Sequence, residues 1–300
     1  MKRFLGIFLL IILLLQGVGC SHYENKLTIV AVTYADYEFT KQIVGTESEI
    51  EIKCILDSGE DAHSYNYTFT DRVLLENAKM VVYSGGESTS WIDDIIKNKQ
   101  IYSVNYSTFL DKLHSEEVHE EHMHAHEHTF DEHFYLSIKN VVKIVEKIKD
   151  KVILLDSKNA QKYQENFENY TLKLQELDCE YTNAFLGQEK KVILADRHPF
   201  LYLFNDYNIL CYSAFSGCSS EVNATLEVII SLSQKVKELN AKSIYITESG
   251  DIQVANTIIS SSNVNGVNVK VLNSMQSEKV KDNKSYLQIM KSNLEILKSE

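Results

Sequence analysis

Residues 157–185 read SKNAQKYQENFENYTLKLQELDCEYTNAF. Tyr163, Phe167, Tyr170, Leu174, Leu177 and Tyr181 recur at alternating spacings of four and three, so they form one apolar stripe along a single long polar helix. On both sides of this helix the pattern changes. Short apolar, β-branched runs at Leu27–Val32, Ile50–Leu56, Met80–Tyr83, Val192–Ala195, Ser243–Thr247 and Val267–Leu272 have the length and composition of buried strands. Between them lie segments of helical periodicity at Val73–Ala78, Leu136–Lys149, Glu221–Leu239 and Val280–Leu297. Strands alternating with helices specify the α/β class with mainly parallel sheets. Its position makes the striped helix a rigid connector packed against two α/β lobes; a long peripheral helix of one domain is the plainer alternative. The expected divisions are a segment 1–19 removed on export, a tether 20–25, a first lobe 26–155, the connecting helix 156–186 and a second lobe 187–300.

The chain of 300 residues, 44% of them hydrophobic, is long enough for two lobes with cores of their own. A formal charge of -12 argues against a nucleic-acid partner. Met1-Lys2-Arg3 followed by an almost unbroken apolar run from Phe4 to Leu15 is too short for a permanent membrane span and reads as a signal peptide. The run closes on Gly17-Val18-Gly19-Cys20, where small residues before a cysteine suggest lipidation at Cys20 and an exported, lipid-anchored protein; Gly17 stands where such sites usually have Leu, and simple cleavage is the alternative. Cys54, Cys179, Cys211 and Cys218 remain; Cys211 and Cys218 are near enough to close a short loop, and buried free thiols fit equally. With no Cys-x-x-Cys pair, thiolate zinc sites and thioredoxin-like chemistry drop out.

Histidine is the chemically distinctive residue. His114, His119, His122, His124, His126 and His128 lie within fifteen residues, interleaved with Glu116, Glu117, Glu120, Glu121 and Glu127. The tract 114–128 has no apolar periodicity and reads as a loop that attracts borderline metals without fixing one coordination geometry. A solvated or pH-responsive patch is the alternative, because imidazoles titrate near neutrality. A principal site needs donors on rigid elements, and three isolated histidines qualify. His63 lies in the turn-rich stretch Gly59-Glu60-Asp61-Ala62-His63-Ser64-Tyr65, and His133 in Asp131-Glu132-His133-Phe134-Tyr135-Leu136. His198 follows the strand Val192–Ala195 and precedes the one proline, Pro199. Glu248 stands at the end of Ser243–Thr247. Ligands of open α/β sheets bind beyond the carboxyl ends of the strands, so His63, His133, His198 and Glu248 are expected to converge in a cleft between the lobes. Three imidazoles and one carboxylate suit zinc.

These stretches resemble motifs of the zinc and manganese ABC-transporter solute-binding proteins, the cluster A-I or helical-backbone metal receptor family. Gly59 to Tyr65 with Asp71 is similar to that family's first metal motif, Gly-x-Asp-Pro-His-x-Tyr followed by a Ser/Thr-x-Asp helix start. Asp131 to Leu136 is similar to its Asp-Pro-His-x-Trp-Leu, which follows a His-rich loop in the zinc members. Asp156-Ser157-Lys158-Asn159 with the striped helix resembles its interdomain backbone, and Ser84-Gly85-Gly86-Glu87, Trp91 and Glu248 also fit.

The chain departs from the pattern at Ala62 and Glu132, which replace prolines, and at the third motif. There the family has His-x-Ala-Phe-x-Tyr against Arg197-His198-Pro199-Phe200-Leu201-Tyr202. Aligning Phe200 and Tyr202 puts Arg197 at the ligand position, and arginine cannot ligate a cation. His198 from a shifted loop, Asp196 or water would fill the place; His198 is taken here. The resemblance implies a monomeric receptor on the outer face of a bacterial cytoplasmic membrane that carries Zn2+ to an ABC permease with little domain closure. Mn2+ is the alternative cargo. A storage or adhesin lipoprotein is the alternative role, and a zinc hydrolase is disfavoured by the absence of a His-Glu-x-x-His helix.

Overall fold

The computed structural model describes residues 27–46, 48–114, 130–215 and 224–299. Cys20, Cys218 and, within the histidine tract, His119 to His128 lie outside them.

Two four-stranded sheets form, every pairing parallel, as the alternation of runs requires. The first contains β1 (Thr28–Ala31), β2 (Glu51–Cys54), β3 (Met80–Tyr83) and β4 (Tyr102–Asn105) in the order β2-β1-β3-β4. The second repeats this order as β6-β5-β7-β8, from β5 (Lys191–Arg197), β6 (Leu210–Phe215), β7 (Ser243–Thr247) and β8 (Asn268–Leu272). Central strands covered on both faces read as continuous apolar runs, and β3 (MVVY) and β7 (SIYIT) are buried at every position. Edge strands carry polar and exposed residues instead. For that reason β4 and β6, at Tyr102–Asn105 and Leu210–Phe215, were not visible as apolar runs.

Nine helices pack on these sheets among the described residues: α1 (Tyr34–Val44), α2 (Phe69–Asn77), α3 (Ser90–Ile96), α4 (Ile138–Leu155), α5 (Ala160–Phe185), α6 (Leu201–Asp206), α7 (Leu226–Glu238), α8 (Ile252–Ser262) and α9 (Tyr286–Lys298). Two of their N-termini lie near the site. Thr33 caps α1 reciprocally with Asp36, and Thr68 caps α2 reciprocally with Asp71, satisfying amide donors that the first helical turn leaves unpaired.

The 26 residues of α5 span about 39 Å. Five of the six stripe residues are buried, and Phe167 is partly buried under the Lys149 ammonium, which lies 4.7 Å from its ring centre. Helix α5 packs on α1 and α4 from the first half of the chain and on α9 from the second. Asn166 Nδ2 donates to Ile43 O at 2.9 Å and Tyr181 Oη to Met290 O at 2.6 Å. Phe39 of α1 meets Tyr286 of α9 edge-on at 5.1 Å, so one apolar core runs through both halves. Because Leu174 is fully buried in that shared core, Leu174→Ala is expected to cost about 3 kcal/mol, measured by urea unfolding. A change below about 1 kcal/mol would mean that the helix is peripheral.

Candidate metal centre

The N-terminal lobe builds its half of the site from one local device used twice. Asp61 Oδ1 accepts the backbone N–H of His63 at 3.0 Å, and Asp131 Oδ1 accepts that of His133 at 2.8 Å. A short acidic side chain bonding the amide two residues on closes a tight turn without proline, so Ala62 and Glu132 are tolerated. The second turn is also packed from behind. Glu132 accepts hydrogen bonds from the amide and hydroxyl of Ser88 and lies against Gly86, whose φ of +97° and lack of a Cβ make room for its carboxylate.

Asp131 Oδ1 also lies 3.1 Å from His133 Nδ1. Nδ1 therefore carries the proton, and the Nε2 lone pair faces the site. His63 Nε2 stands 3.2 Å from His133 Nε2. Two nitrogens each about 2.0–2.1 Å from one tetrahedral zinc ion would be about 3.3 Å apart. Burial, then the neighbouring His133, lowers the His63 pKa well below the ordinary imidazole value, so its lone pair is available at neutral pH.

The two rings border a cavity of about 30 Å³, also lined by Thr33, Tyr34, Met275 and Gln276. That is room enough for a water molecule or a small ion. The lobes meet closely beside it. Val280 N donates to Asp57 O at 3.1 Å, and at Gly59 (φ +87°) a Cβ would fall 2.5 Å from Ser277 O. Glycine is required there by both the backbone angle and the contact.

Of the four residues expected to converge, the structure brings His63 and His133 into contact and gives the side chains of the other two different partners. Glu248 turns onto the loop after β8, where its carboxylate accepts from Ser274 N at 2.7 Å, Ser274 Oγ at 3.0 Å, Ser277 N at 3.3 Å and Ser277 Oγ at 3.4 Å. It anchors that loop and does not line the cavity.

His198 lies on the other side of the strand end, its ring 5.4 Å from that of Phe204, bordering a separate cavity together with His114. Arg197 is the residue that reaches the site, with Nη1 2.9 Å from Asp61 Oδ2 in an ion pair between the lobes. Among the described residues no three or more His, Cys, Asp or Glu side chains form a metal-holding group. The C-terminal lobe instead offers Gln276, whose Nε2 is 3.0 Å from His133 Nε2. Sequence reasoning missed it; its position just beyond the carboxyl end of β8 was the available signal.

His198 Nδ1 is buried without a hydrogen-bond partner, and burial lowers its pKa from 6.5 to about 4. Below pH 6.5 the unfolded chain takes up a proton that the folded one refuses. The stability tied to this ring is therefore complete above pH 6.5 and is lost as the pH falls towards 4. His198→Phe, which keeps the ring stack and removes the proton site, should shift the acid-unfolding midpoint to lower pH; an unchanged midpoint would show that His198 does not report on folding.

The histidine tract is tied down next to this site. Asp131 N donates to Leu113 O at 2.8 Å, Leu113 N to Tyr202 Oη at 3.1 Å, and Tyr202 Oη to Asp131 O at 3.0 Å. Both described ends of the tract therefore meet two residues from His133.

Two parallel-sheet lobes joined through one long helix, with paired imidazoles at an ion-sized cavity between them, define a two-lobed solute-binding protein with a candidate metal centre. Residues 29–300 match the family model described as zinc-uptake complex component A, periplasmic, and the chain belongs to that family. It is 29% identical over 316 residues to the high-affinity zinc uptake system protein ZnuA of Bacillus subtilis, covering 99% of this chain and 97% of that protein. It is likewise 29% identical over 294 residues to the zinc-binding lipoprotein AdcA of Streptococcus pneumoniae, covering 94% of this chain and 58% of that one. The chain thus spans little more than half the length of its streptococcal relatives. The Zn(II)-bound ZnuA-like domain of Streptococcus pneumoniae AdcA superposes with a TM-score of 0.73 at 25% identity, over 91% of this chain and 98% of that one. The metal-dependent lipoprotein YcdH of Bacillus subtilis superposes at 0.75 with 27% identity and the same coverages.

Proposed function

We propose that the protein is an extracytoplasmic zinc receptor that captures Zn2+ in the cleft through His63 and His133 and delivers it to an ABC importer. The observation that carries this reading is the 3.2 Å approach of the two Nε2 atoms, one of them fixed as a lone-pair donor by Asp131. Two imidazoles favour zinc over manganese, which takes oxygen-rich sites. Family membership and relatives named for zinc binding and zinc uptake support the same cargo. Membership of a zinc-uptake family supports a receptor in place of an enzyme. Glu248, the carboxylate expected at the site from sequence, accepts hydrogen bonds from Ser274 and Ser277. Cys20 would hold the protein at the membrane surface through its lipid, and the tract from His114 to His128 would gather zinc beside the cleft.

The test is zinc titration of the mature chain against a competing chelator, at pH 7.5 and pH 5.5, with anomalous scattering at the zinc edge to locate the ion. One tight equivalent should be located at His63 and His133, and its affinity should be lower at pH 5.5 than at pH 7.5, because both imidazoles must be unprotonated to hold the ion. Additional weak equivalents should be lost by pH 5.5 and should be absent after deletion of residues 115–128. Finding only weak equivalents, all removed by that deletion, would instead indicate a storage protein.

A further inference from the structure

The geometry points to the outward face of α5 as a self-association surface, where a second copy of this chain packs its own α5 antiparallel across a two-fold axis at Cys179 and a Cys179–Cys179 disulfide holds the pair. This inference stands apart from the metal reading. The core-facing stripe of α5 accounts for one side of the helix. The opposite side is polar and exposed at Glu165, Glu168, Gln175 and Glu176, as a solvated face should be. Leu172, Cys179 and Leu186 break that pattern. All three are exposed, Leu172 by 58% and Leu186 by 75%. Seven residues fall only about 20° short of two full helical turns, so the three lie nearly in line. Leu186 caps the helix, and its φ of −58° keeps its side chain in that line.

The line reads the same from either end, with a leucine seven residues before Cys179 and a leucine seven residues after it. A two-fold contact needs that property, because where residue i meets j, j must also meet i. An antiparallel copy sets Leu172 against the partner's Leu186, Leu186 against the partner's Leu172, and the two Cys179 residues against each other. The flanks match as well. At 100° per residue, Glu176 and Asn183 lie on one side of the line and Gln175 and Thr182 on the other. The two-fold keeps each side facing itself, so the Glu176 carboxylate meets the partner's Asn183 amide, and Gln175 meets the partner's Thr182 hydroxyl. A shift by one heptad loses this fit, since it sets Leu186 against the partner's Glu165.

Helices packed about 10 Å apart, each with a Cα radius of about 2.3 Å, leave about 5.4 Å between Cα atoms that face each other directly. A disulfide spans about 4.4–6.8 Å between Cα atoms. Asn183 Nδ2 donates to Cys179 Sγ at 3.4 Å and so holds the thiol on this face. The contact between Leu172 and Leu186 runs along about 21 Å of helix. That falls short of the roughly 1,200 Å² that stable complexes bury, so the leucines align the pair and the sulfur bond retains it. In the bonding step the two thiols lose two protons, the sulfurs join, and two electrons pass to a disulfide oxidant whose own S–S bond opens to two thiols. A family described as periplasmic works where such bonds form and persist.

The test is linkage of the metal-free mature chain by oxidised glutathione, followed on non-reducing gels. The parent should give a dimer that dithiothreitol reverses and that Cys179→Ser abolishes. A Leu172→Glu, Leu186→Glu double variant retains Cys179 and should link at least about tenfold more slowly, because docking would bury its new charges. Both leucines are exposed, so this variant should melt with the parent. Direction is read from two further chains, one carrying Leu172→Cys with Cys179→Ser and the other Leu186→Cys with Cys179→Ser. Mixed together, they should link to each other faster than either links to itself. Absence of the parental dimer would overturn the proposal. Parental speed in the leucine double variant would do the same, since it reduces the linkage to random collision of a surface thiol. Self-linkage of the Leu172→Cys chain as fast as the mixed linkage would overturn the antiparallel packing.

Discussion

Alanine at His133 should abolish tight zinc binding, with a loss of roughly a hundredfold or more, equivalent to about 2.7 kcal/mol. His63→Ala should do the same. In the first variant the lone pair oriented by Asp131 disappears, and in the second its partner 3.2 Å away does. Zinc takes imidazole nitrogen in preference to water, so the missing bond is not recovered cheaply. His63 sits in a loop and is partly exposed, so His63→Ala should melt close to the parent and separates lost binding from lost fold. Competition with a chromophoric chelator measures both. Parental affinity in either variant would mean that the ion binds elsewhere.

The Asp61–Arg197 pair should divide into opposite effects. Arg197→Ala leaves the Asp61 carboxylate unneutralised two residues from His63 and removes a positive charge that already disfavours a cation on that ring, so zinc affinity should rise by about tenfold or more. Asp61→Ala removes the negative charge facing Arg197 and the acceptor that shapes the His63 turn, so affinity should fall by at least as much. Two unit charges 4 Å apart interact by about 4 kcal/mol at an effective dielectric constant near 20, so a tenfold change is a conservative expectation. If the pair were only a mechanical link between the lobes, breaking it from either end would move the affinity in the same direction. Zinc titrations of the two variants, with unfolding curves beside them, decide between these outcomes.

Both sheets and the helix between them were legible because burial on two faces forces apolar runs and a helix against a core forces a 3.6-residue stripe. Met80–Tyr83, Ser243–Thr247 and Tyr163–Tyr181 show each plainly. The paired Asp-x-His turns were legible too, since their geometry is local. What stayed hidden depends on contacts between distant segments.

Successive residues leaving a strand point to opposite sides. At the end of β5 this sends Arg197 to Asp61 and His198 to Phe204, a difference of one position that composition cannot resolve. Glu248 has the chemistry of a ligand, but the serines that occupy it lie 26 and 29 residues further on. Gln276 has an ordinary loop composition, and only the arrangement of Met275, Asn273 and Asn293 directs it at His133.

The shared core that runs from Phe39 through Tyr163 and Leu174 to Tyr286 limits how such a molecule can signal. Lobes that share their interior cannot swing apart as a jaw would without exposing that interior to water. In the proposed receptor, loading is expected to be expressed at the rim, where the segment 57–63 touches the segment 274–280. A partner that tells the filled molecule from the empty one therefore has a few side chains and two short loops to sense, and a change of local texture in place of a change of outline.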